Sequence, residues 1–171
     1  MKTLIISSSL SPTSHSRILC LETASRLKAA GADVTLVDTR ELELVPHHRG
    51  PTEDMRTLTE QVQSADNLIF GMGVYCYSIN DNLKIILDNC CEHATGKFFG
   101  IVCAAGGTKS YLATQHLTQI CMNEWRMLQL PRVVYATGTD FVDGHIHTTE
   151  ITDRLDIFAH EFYDIGNKLL N

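Results

Sequence analysis

The sequence predicts an α/β fold in which a parallel sheet is covered by helices on both faces. Short apolar runs alternate along the chain with longer segments whose apolar residues recur at the helical period. The fourth apolar run, residues 98–104, has no charged side chain, which is typical of a strand covered on both faces. The chain has 171 residues, 44% of them hydrophobic, enough for one domain with a two-sided core.

The apolar runs predict five strands, at residues 3–7, 33–37, 67–71, 98–104 and 132–137. Between and after them, five helices are predicted at residues 14–30, 52 to about 65, 79–91, 107–127 and 149–170. Gly31 ends the first helix, because glycine favours the conformation that follows a last helical turn. Thr52 caps the second helix, with Glu53 and Asp54 in its first turn, and residues 39–50 form a polar loop before it.

Regular alternation of strands and helices indicates a doubly wound, three-layer sandwich. Its five-stranded parallel sheet most simply has the flavodoxin-like order 2-1-3-4-5. We expect this single domain to span residues 1–171. The carboxyl ends of parallel strands share one edge, where such sheets bind ligands. The loops after the first, third and fourth strands should therefore meet in one site.

Composition excludes several classes of function. A net charge of −6 disfavours nucleic acid or an anionic membrane as partner. No apolar run is long enough to span a membrane, and Met1-Lys2-Thr3 opens directly into a strand, so we expect a cytoplasmic protein without a signal peptide. The six cysteines lie mostly in apolar segments without a C-x-x-C pair, which indicates reduced thiols and no metal site. The spacing Cys103-x5-Lys109 nearly matches a phosphatase loop but lacks its arginine.

The loop after the first strand, residues 7–16, is called here the hydroxyl loop. It reads Ser7-Ser8-Ser9-Leu10-Ser11-Pro12-Thr13-Ser14-His15-Ser16 and has no fixed charge. At a helix N-terminus, free N–H groups and hydroxyls can together bind a phosphate. The glycine and lysine patterns of nucleoside triphosphate and dinucleotide loops are missing. The loop fits one phosphomonoester held by neutral donors, and a serine-rich turn that only caps a helix is the alternative.

The other two loops suit a flat heterocycle. The loop at residues 72–78 contains Tyr75 and Tyr77 beside a run of backbone amides. The loop at residues 105–109, called here the glycine loop, contains Gly106 and Gly107, which let the backbone approach a ligand closely. Either loop alone could be a tight turn. Their position beside the hydroxyl loop favours a shared site.

These motifs make the chain resemble the NAD(P)H-dependent FMN reductases, a family that includes azo and quinone reductases. The family's first loop is G-S-x-R-x-x-S-x-N, followed by P-x-Y-N-x-S-x-P-G-x-L-K-N-x-L-D and a Gly-Gly loop. Here residues 8–16, 73–88 and 106–107 take those places. The second pattern is the specific one, and the residues in register with it include Tyr75, Ser78, Leu83, Lys84 and Asp88. The departures from the patterns include Ser11 for arginine, Cys76 for asparagine and Asn80-Asp81 for Pro-Gly.

The resemblance implies FMN as cofactor and NADPH or NADH as electron donor. The acceptor would be a small molecule such as free flavin, a quinone, an azo compound or a metal oxyanion. The residues implied for the FMN phosphate are Ser9, Ser11, Ser14, His15 and Ser16. Those implied for the ring are Val74, Tyr75, Cys76, Tyr77 and Ser78 on one side and Gly106, Gly107 and Thr108 on the other. Hydride passes directly between the two cofactors, so no catalytic acid or base is expected.

Further hypotheses concern partners and alternatives. Tyr77 could pack on the nicotinamide, and Lys109 could meet a phosphate of NADPH. Apolar residues near the end of the fourth helix, among them Met122, Trp125 and Met127, suggest a homodimer or homotetramer, unless they form a wide core-facing stripe.

The main alternative function is a flavodoxin-type electron carrier or a flavin-binding protein without its own reductase activity. A third possibility is a fold that has lost its flavin.

Overall fold

The computed structural model describes residues 1–170 as one main sheet between two layers of helices. The strands and α-helices are, in chain order, β1 (Lys2–Ser7), α1 (His15–Ala29), β2 (Asp33–Asp38), α2 (Glu53–Ser64), β3 (Asn67–Tyr75), β4 (Ser78–Ile79), α3 (Asp81–Cys90), β5 (Phe98–Ala105), α4 (Ala113–Trp125), β6 (Leu128–Gln129), β7 (Val134–Thr137), β8 (Phe141–Val142), β9 (His145–Ile146) and α5 (Thr149–Leu169). Short 3₁₀ turns occupy Thr39–Glu41, His47–Arg49, Thr108–Ser110 and Gly138–Asp140.

The topology confirms the predicted fold and corrects its edge. Parallel strands follow the order β2-β1-β3-β5, and both β6 and β7 then pair with the free side of β5. β6 pairs with the start of β5, and β7 with its second half. The five longer parallel strands therefore follow the order 2-1-3-4-5. The separate two-residue strand β6 and the hairpins β3–β4 and β8–β9 were not predicted.

Alternate side chains of each strand pack into two separate hydrophobic cores, one on each face of the sheet. Leu4 and Ile6 of β1 face the core under α2, α3 and α4, whereas Ile5 faces the core under α1 and α5. Close approach of α5 to the sheet depends on Gly100 of β5. A Cβ at that position would lie 2.6 Å from the ring of Phe158, so any larger residue would push the helix outward.

Side-chain caps explain where the first two helices begin. The Ser14 hydroxyl accepts a hydrogen bond from the Arg17 N–H, and the Thr52 hydroxyl accepts one from the Met55 N–H, both at 3.2 Å. Beyond the end of α1, Gly31 has a φ of +94°. The predicted ends of α1 and α2 are correct to within one residue. No helix within residues 1–170 has both the length and the apolar character to cross a membrane.

The segment after the third predicted strand is a hairpin, so the prediction of a loop at residues 72–78 was wrong. β3 continues beyond Gly71 and folds back onto β4, with Tyr75 opposite Ser78. Cys76 and Tyr77 form the turn, with φ of +49° and +58°. Positive φ at both central residues is typical of type I′ turns, which usually contain Asn or Gly. The residue types at this turn therefore carried no hairpin signal.

The helix predicted at residues 107–127 is shorter, because α4 begins at Ala113 and ends at Trp125. It stops where Arg126 adopts a left-handed φ of +54°. As a result Met127 lies in the core beside Trp125 instead of on a helix surface, and Met122 remains 50% exposed. The apolar surface from which a partner helix was inferred is therefore smaller than the sequence suggested.

Candidate functional site

A cleft of about 360 Å³ lies where the carboxyl ends of β1, β3, β5 and β7 meet. It is lined by Ser9, Ser11, Thr13, Ser14, His15, Ser16, Gly73, Val74, Tyr75, Ala104, Ala105, Gly106 and Gly138. The structure thus brings together eight of the residues singled out from the sequence: Ser9, Ser11, Ser14, His15, Ser16, Val74, Tyr75 and Gly106. The other predicted residues lie outside the cleft lining.

The outer part of the hydroxyl loop presents uncharged groups at the N-terminus of α1. The Ser14 and Ser16 hydroxyls are 3.0 Å apart and nearly buried, and those of Ser11 and Thr13 are 3.5 Å apart and more exposed. The first turn of the 15-residue α1 adds free N–H groups and a partial positive charge. This combination can hold a phosphate without lysine or arginine.

His15, the first residue of α1, is held at the same end of the cleft by an aromatic contact. Its ring stacks on Phe141 of β8, with ring centres 4.2 Å apart and planes 2° apart. Phe141 is itself part of the core under α1 and α5. The stack fixes the imidazole and connects the hydroxyl loop to the β8–β9 hairpin.

The inner part of the hydroxyl loop is anchored by two asparagines that the sequence reasoning missed. The side-chain amides of Asn80 and Asn82, called here the amide clamp, both donate to the Ser8 carbonyl, at 3.0 and 3.1 Å. The Ser8 hydroxyl lies 2.7 Å from the Gly71 carbonyl and 2.9 Å from Asn80 Oδ1. Asn82 also donates to the Thr39 hydroxyl at 2.8 Å. In the sequence, the only indication of this anchoring role was the presence of two asparagines at the start of the predicted third helix.

A cluster of charges ties the start of α1 to the end of β2. Arg17 and Arg40 both hold the Asp38 carboxylate at 2.6 Å. Hydrogen bonds from Arg40, and then from Arg17, lower the pKa of Asp38 to about 2 despite its partial burial. Both guanidinium groups pair with Asp38, and neither arginine is among the residues lining the cleft.

The β3–β4 hairpin contributes only its β3 side to the cleft. The Tyr75 ring, 54% exposed, lies against Gly73, where a Cβ would come within 3.1 Å of the ring. Cys76 and Tyr77 stand at the tip of the turn, and Ser78 forms a 3.0 Å hydrogen bond with a histidine of α4. The structure therefore places these last three residues beside the cleft but not in its lining, because the turn carries the chain away.

The two glycines of the glycine loop differ in position. Gly106 lines the cleft, and a Cβ there would meet no atom within 4 Å. Gly107 also has open space around it, but its carbonyl accepts a hydrogen bond from the Tyr135 hydroxyl at 2.6 Å, outside the lining. Thr108, in the same loop, begins a 3₁₀ turn that ends at Ser110. The glycine loop thus contributes open backbone to the cleft at Gly106.

A fourth loop, after β7, was absent from the predicted site although it supplies Gly138. The Asp140 carboxylate holds it by accepting from the Thr137 N–H at 2.7 Å and from the Thr148 hydroxyl at 3.0 Å. Burial raises the pKa of Asp140, but these hydrogen bonds outweigh burial and lower it overall. Ligands bind at the carboxyl ends of parallel strands, and β7 is one of these strands. The loop after β7 could therefore have been included in the predicted site from the sequence.

Cysteine chemistry offers no competing site in the core. Cys76 is exposed and the other five cysteines are buried. Burial raises the pKa of Cys20 and Cys103 to about 12, and also raises the pKa of Cys90 and Cys91. Such thiols do not ionise near neutral pH, which argues against a nucleophilic, phosphatase-like role for Cys103.

A groove of about 840 Å³, larger than the cleft, lies between α3 and α4 and away from the hydroxyl loop. Its cation Lys84 is paired with Asp88 at 2.6 Å, and the carboxylates of Glu92 and Glu124 also line it. A phosphate would be repelled there, so the smaller cleft is the better anion site. Across residues 1–170, no cluster of three His, Cys, Asp or Glu side chains could hold a metal ion.

Comparison with known proteins agrees with this geometry. The model of a family described as NADPH-dependent FMN reductase matches residues 1–141, which include the four loops of the cleft. The protein "FMN reductase (NADPH)" of Escherichia coli (strain K12) is 27% identical over 161 residues, covering 90% of this chain and 84% of that protein.

Solved structures extend the likeness in fold. An NADH:FMN oxidoreductase in its apo form has a TM-score of 0.82 at 17% identity, covering 96% of this chain and 89% of that one. A flavodoxin from the domain Archaea has a TM-score of 0.70 at 13% identity, with complete coverage of both chains. At such identities the likeness shows the fold alone, which oxidoreductases and flavodoxins share.

Proposed function

Because the chain belongs to the NADPH-dependent FMN reductase family, and is thus an FMN-dependent enzyme that oxidises NAD(P)H, we propose that the cleft at the strand ends is its FMN site. The observation that carries this assignment is the meeting of uncharged hydroxyls, a helix N-terminus and open glycine backbone in one cleft. Electrons leave the site for a small-molecule acceptor.

The hydroxyl loop fits the phosphate of FMN. Ser9, Ser11, Ser14 and Ser16 place neutral hydroxyls around the N-terminus of α1, with His15 among them. Hydrogen bonds from such donors to a charged phosphate contribute roughly 1.5–3 kcal/mol each, so a few of them can anchor the nucleotide without a lysine or arginine. These side chains bind and orient the cofactor.

The remaining lining fits a flat ring. Val74 and Tyr75 border one side of the cleft, and the backbone of Gly106 the other. When bound, FMN supplies the chemistry, accepting hydride from the nicotinamide and passing electrons to the acceptor. The chain's own residues position the ring and leave one face accessible. We assign no acid or base to the reaction.

The electron donor is assigned to the exposed rim. Tyr77, 65% exposed at the hairpin tip, presents an aromatic surface for the nicotinamide. Lys109, at the end of the glycine loop and within the 3₁₀ turn Thr108–Ser110, supplies a cation for the NADPH phosphates. Cys76, Ser78, Gly107 and Thr108 complete the rim from which the ring is approached. An open rim selects acceptors by access, which suits free flavin, quinones, azo compounds or metal oxyanions.

We further propose that the protein is a cytoplasmic homodimer or homotetramer. The groove between α3 and α4, with the half-exposed Met122 on α4, supports pairing of these helices with a second copy. Six free cysteines, five of them buried, support a reducing compartment. The two cores share one sheet, which supports a single domain.

The assignment is tested by mixing the purified protein with FMN, desalting it, and adding NADPH without oxygen. Retained yellow colour that bleaches is the expected result. Colour that NADPH leaves unchanged would favour an electron carrier, and no retained flavin would contradict the site. Gly106→Val places a side chain in the cleft and should abolish FMN retention, whereas the control Ala29→Val, exposed at the far end of α1, should keep it.

A further inference from the structure

The hydroxyl loop is held from behind by α3, and we propose that the amide clamp, Asn80 and Asn82, positions this loop for recognition of the FMN phosphate. The inference rests on the FMN site proposed above. Both asparagines are buried, 2% and 4% exposed, and neither is among the residues that line the 360 Å³ cleft. They act through Ser8 and are therefore positioning residues.

Asn80 gives up a common local role to make this contact. It occupies the N-cap of α3, where an asparagine side chain usually accepts a hydrogen bond from the first turn of its own helix. Here it makes no such bond. Its Oδ1 instead faces the Ser8 hydroxyl at 2.9 Å, and its Nδ2 donates to the Ser8 carbonyl at 3.0 Å. The amide is used entirely to hold the hydroxyl loop.

Asn82 connects the hydroxyl loop to the segment that follows β2. Its Nδ2 donates to the Ser8 carbonyl at 3.1 Å and to the Thr39 hydroxyl at 2.8 Å. Thr39, which follows β2, in turn donates to the Ser7 carbonyl at 2.9 Å. Two successive carbonyls at the start of the hydroxyl loop are thus fixed by side chains from two other segments of the chain.

Fixing these carbonyls sets the direction of the groups that face the ligand. In a trans peptide the N–H points opposite to the C=O. With the Ser8 carbonyl held against the amide clamp, the Ser9 N–H points away from α3. Ser9 lines the cleft and begins the set of hydroxyl-bearing residues assigned to the phosphate. Without the clamp the loop would have to be ordered by the phosphate itself, at a cost in affinity.

The clamp also joins the two ends of the FMN site. Asn80 directly follows β4, so the residues that hold the hydroxyl loop continue from the hairpin that borders the ring. Asn80 is therefore a direct link between the two, joined to the hairpin through the backbone and to the loop through buried hydrogen bonds.

The test compares FMN with riboflavin, which has the same ring but no phosphate. Dissociation constants are measured by quenching of flavin fluorescence for the whole chain and for Asn80→Ala and Asn82→Ala. We expect each variant to bind FMN about tenfold more weakly, as for the loss of one or two buried hydrogen bonds. Riboflavin binding should change less than about twofold, because only the phosphate end is loosened.

Asn67→Ala is the matched control, because Asn67 is an equally buried asparagine at the opposite end of β3. General loosening of the fold would weaken both flavins alike in all variants, and equal losses for FMN and riboflavin would overturn the proposal. If either alanine variant does not fold, Asn80→Ser or Asn82→Ser removes the donor amide without adding a charge, and should show the same selective loss. If the unaltered chain itself does not prefer FMN to riboflavin, the assignment of the hydroxyl loop to phosphate fails first.

Discussion

The hydroxyl loop and the β3–β4 hairpin border the same cleft but are built in opposite ways. In the hydroxyl loop, Ser8, Ser9 and Ser16 are 4% exposed or less, and their neighbours are bound from two other segments. At the hairpin, Tyr75 and Tyr77 are 54% and 65% exposed. Its two turn residues hold left-handed conformations that non-glycine residues adopt at a cost.

The difference corresponds to two tasks. A phosphate is bound most tightly by donors that are already in place, because no ordering has to accompany binding. A flavin ring that must meet a donor and then an acceptor needs one accessible face. The hydroxyl loop, whose two ends are buried and anchored, suits the first task, and the exposed hairpin suits the second. Changes in the loop should therefore alter FMN affinity, and changes at the hairpin should alter encounter with substrates.

The largest effect is expected for Ser14→Ala. Its hydroxyl both caps α1 and lines the cleft. Loss of the cap should lower the free energy of unfolding by about 1 kcal/mol, and loss of a phosphate ligand should weaken FMN binding about tenfold or more. Thr52→Ala removes an equivalent cap from α2, far from the cleft. A chemical denaturation curve and an FMN titration of each variant test this, and equal FMN affinities would contradict the assignment.

Acid should weaken the ion pairs that connect α1 to the end of β2, through protonation of Asp38. Its pKa in the folded protein is about 2, below its ordinary value of 3.8, because Arg40 and Arg17 stabilise the charged form. The stabilisation is complete above about pH 4 and is lost as the pH falls toward 2. Asp38→Asn should lower the free energy of unfolding by about 1–2 kcal/mol near neutral pH. It should also reduce the further loss of stability as the pH falls from about 4 to 2. Urea denaturation from pH 6 to 2 measures the free energy of unfolding, and Asp153→Asn, at an exposed carboxylate, is the control. If Asp38→Asn loses as much stability in acid as the unaltered chain, the ion-pair account is wrong.

At the hairpin, Tyr77→Gly separates substrate encounter from FMN binding. It removes the exposed ring and relieves a φ of +58°, so KM for NADPH should rise about two- to tenfold while FMN affinity stays constant. Stability should be unchanged or rise by about 1 kcal/mol. Cys76→Gly relieves the neighbouring φ of +49° without removing a ring, and should leave KM unchanged. A rise in KM for both variants would assign the effect to turn geometry.

The smallest effect concerns the thiols. Cys76 on the hairpin tip is exposed, and the remaining five cysteines are buried, several with a strongly raised pKa. A thiol reagent at pH 8 should therefore label one cysteine rapidly and all six only in denaturant. Cys76→Ser should abolish the rapid phase. A remaining rapid phase would show that the cores open more readily than their packing indicates.

Local pattern was sufficient for much of the fold. The apolar run that became β5 and the serine that became the cap of α1 are recognised from their immediate neighbours. The hairpin was not, because Cys76 and Tyr77 take a turn conformation that their residue types do not favour. The early end of α4 at Arg126 has the same origin, a left-handed residue without glycine.

By itself, the sequence determined the alternation of strands and helices and the presence of a hydroxyl-rich loop at a strand end, because periodicity and capping depend on residues a few positions apart. Only the tertiary structure decided which hydroxyls face the cleft. Ser8 turns inward because it meets Asn80, 72 residues further along the chain, and Gly138 enters the site from β7. Contacts of that range depend on how the whole sheet brings its edges together, and no short stretch of sequence records them.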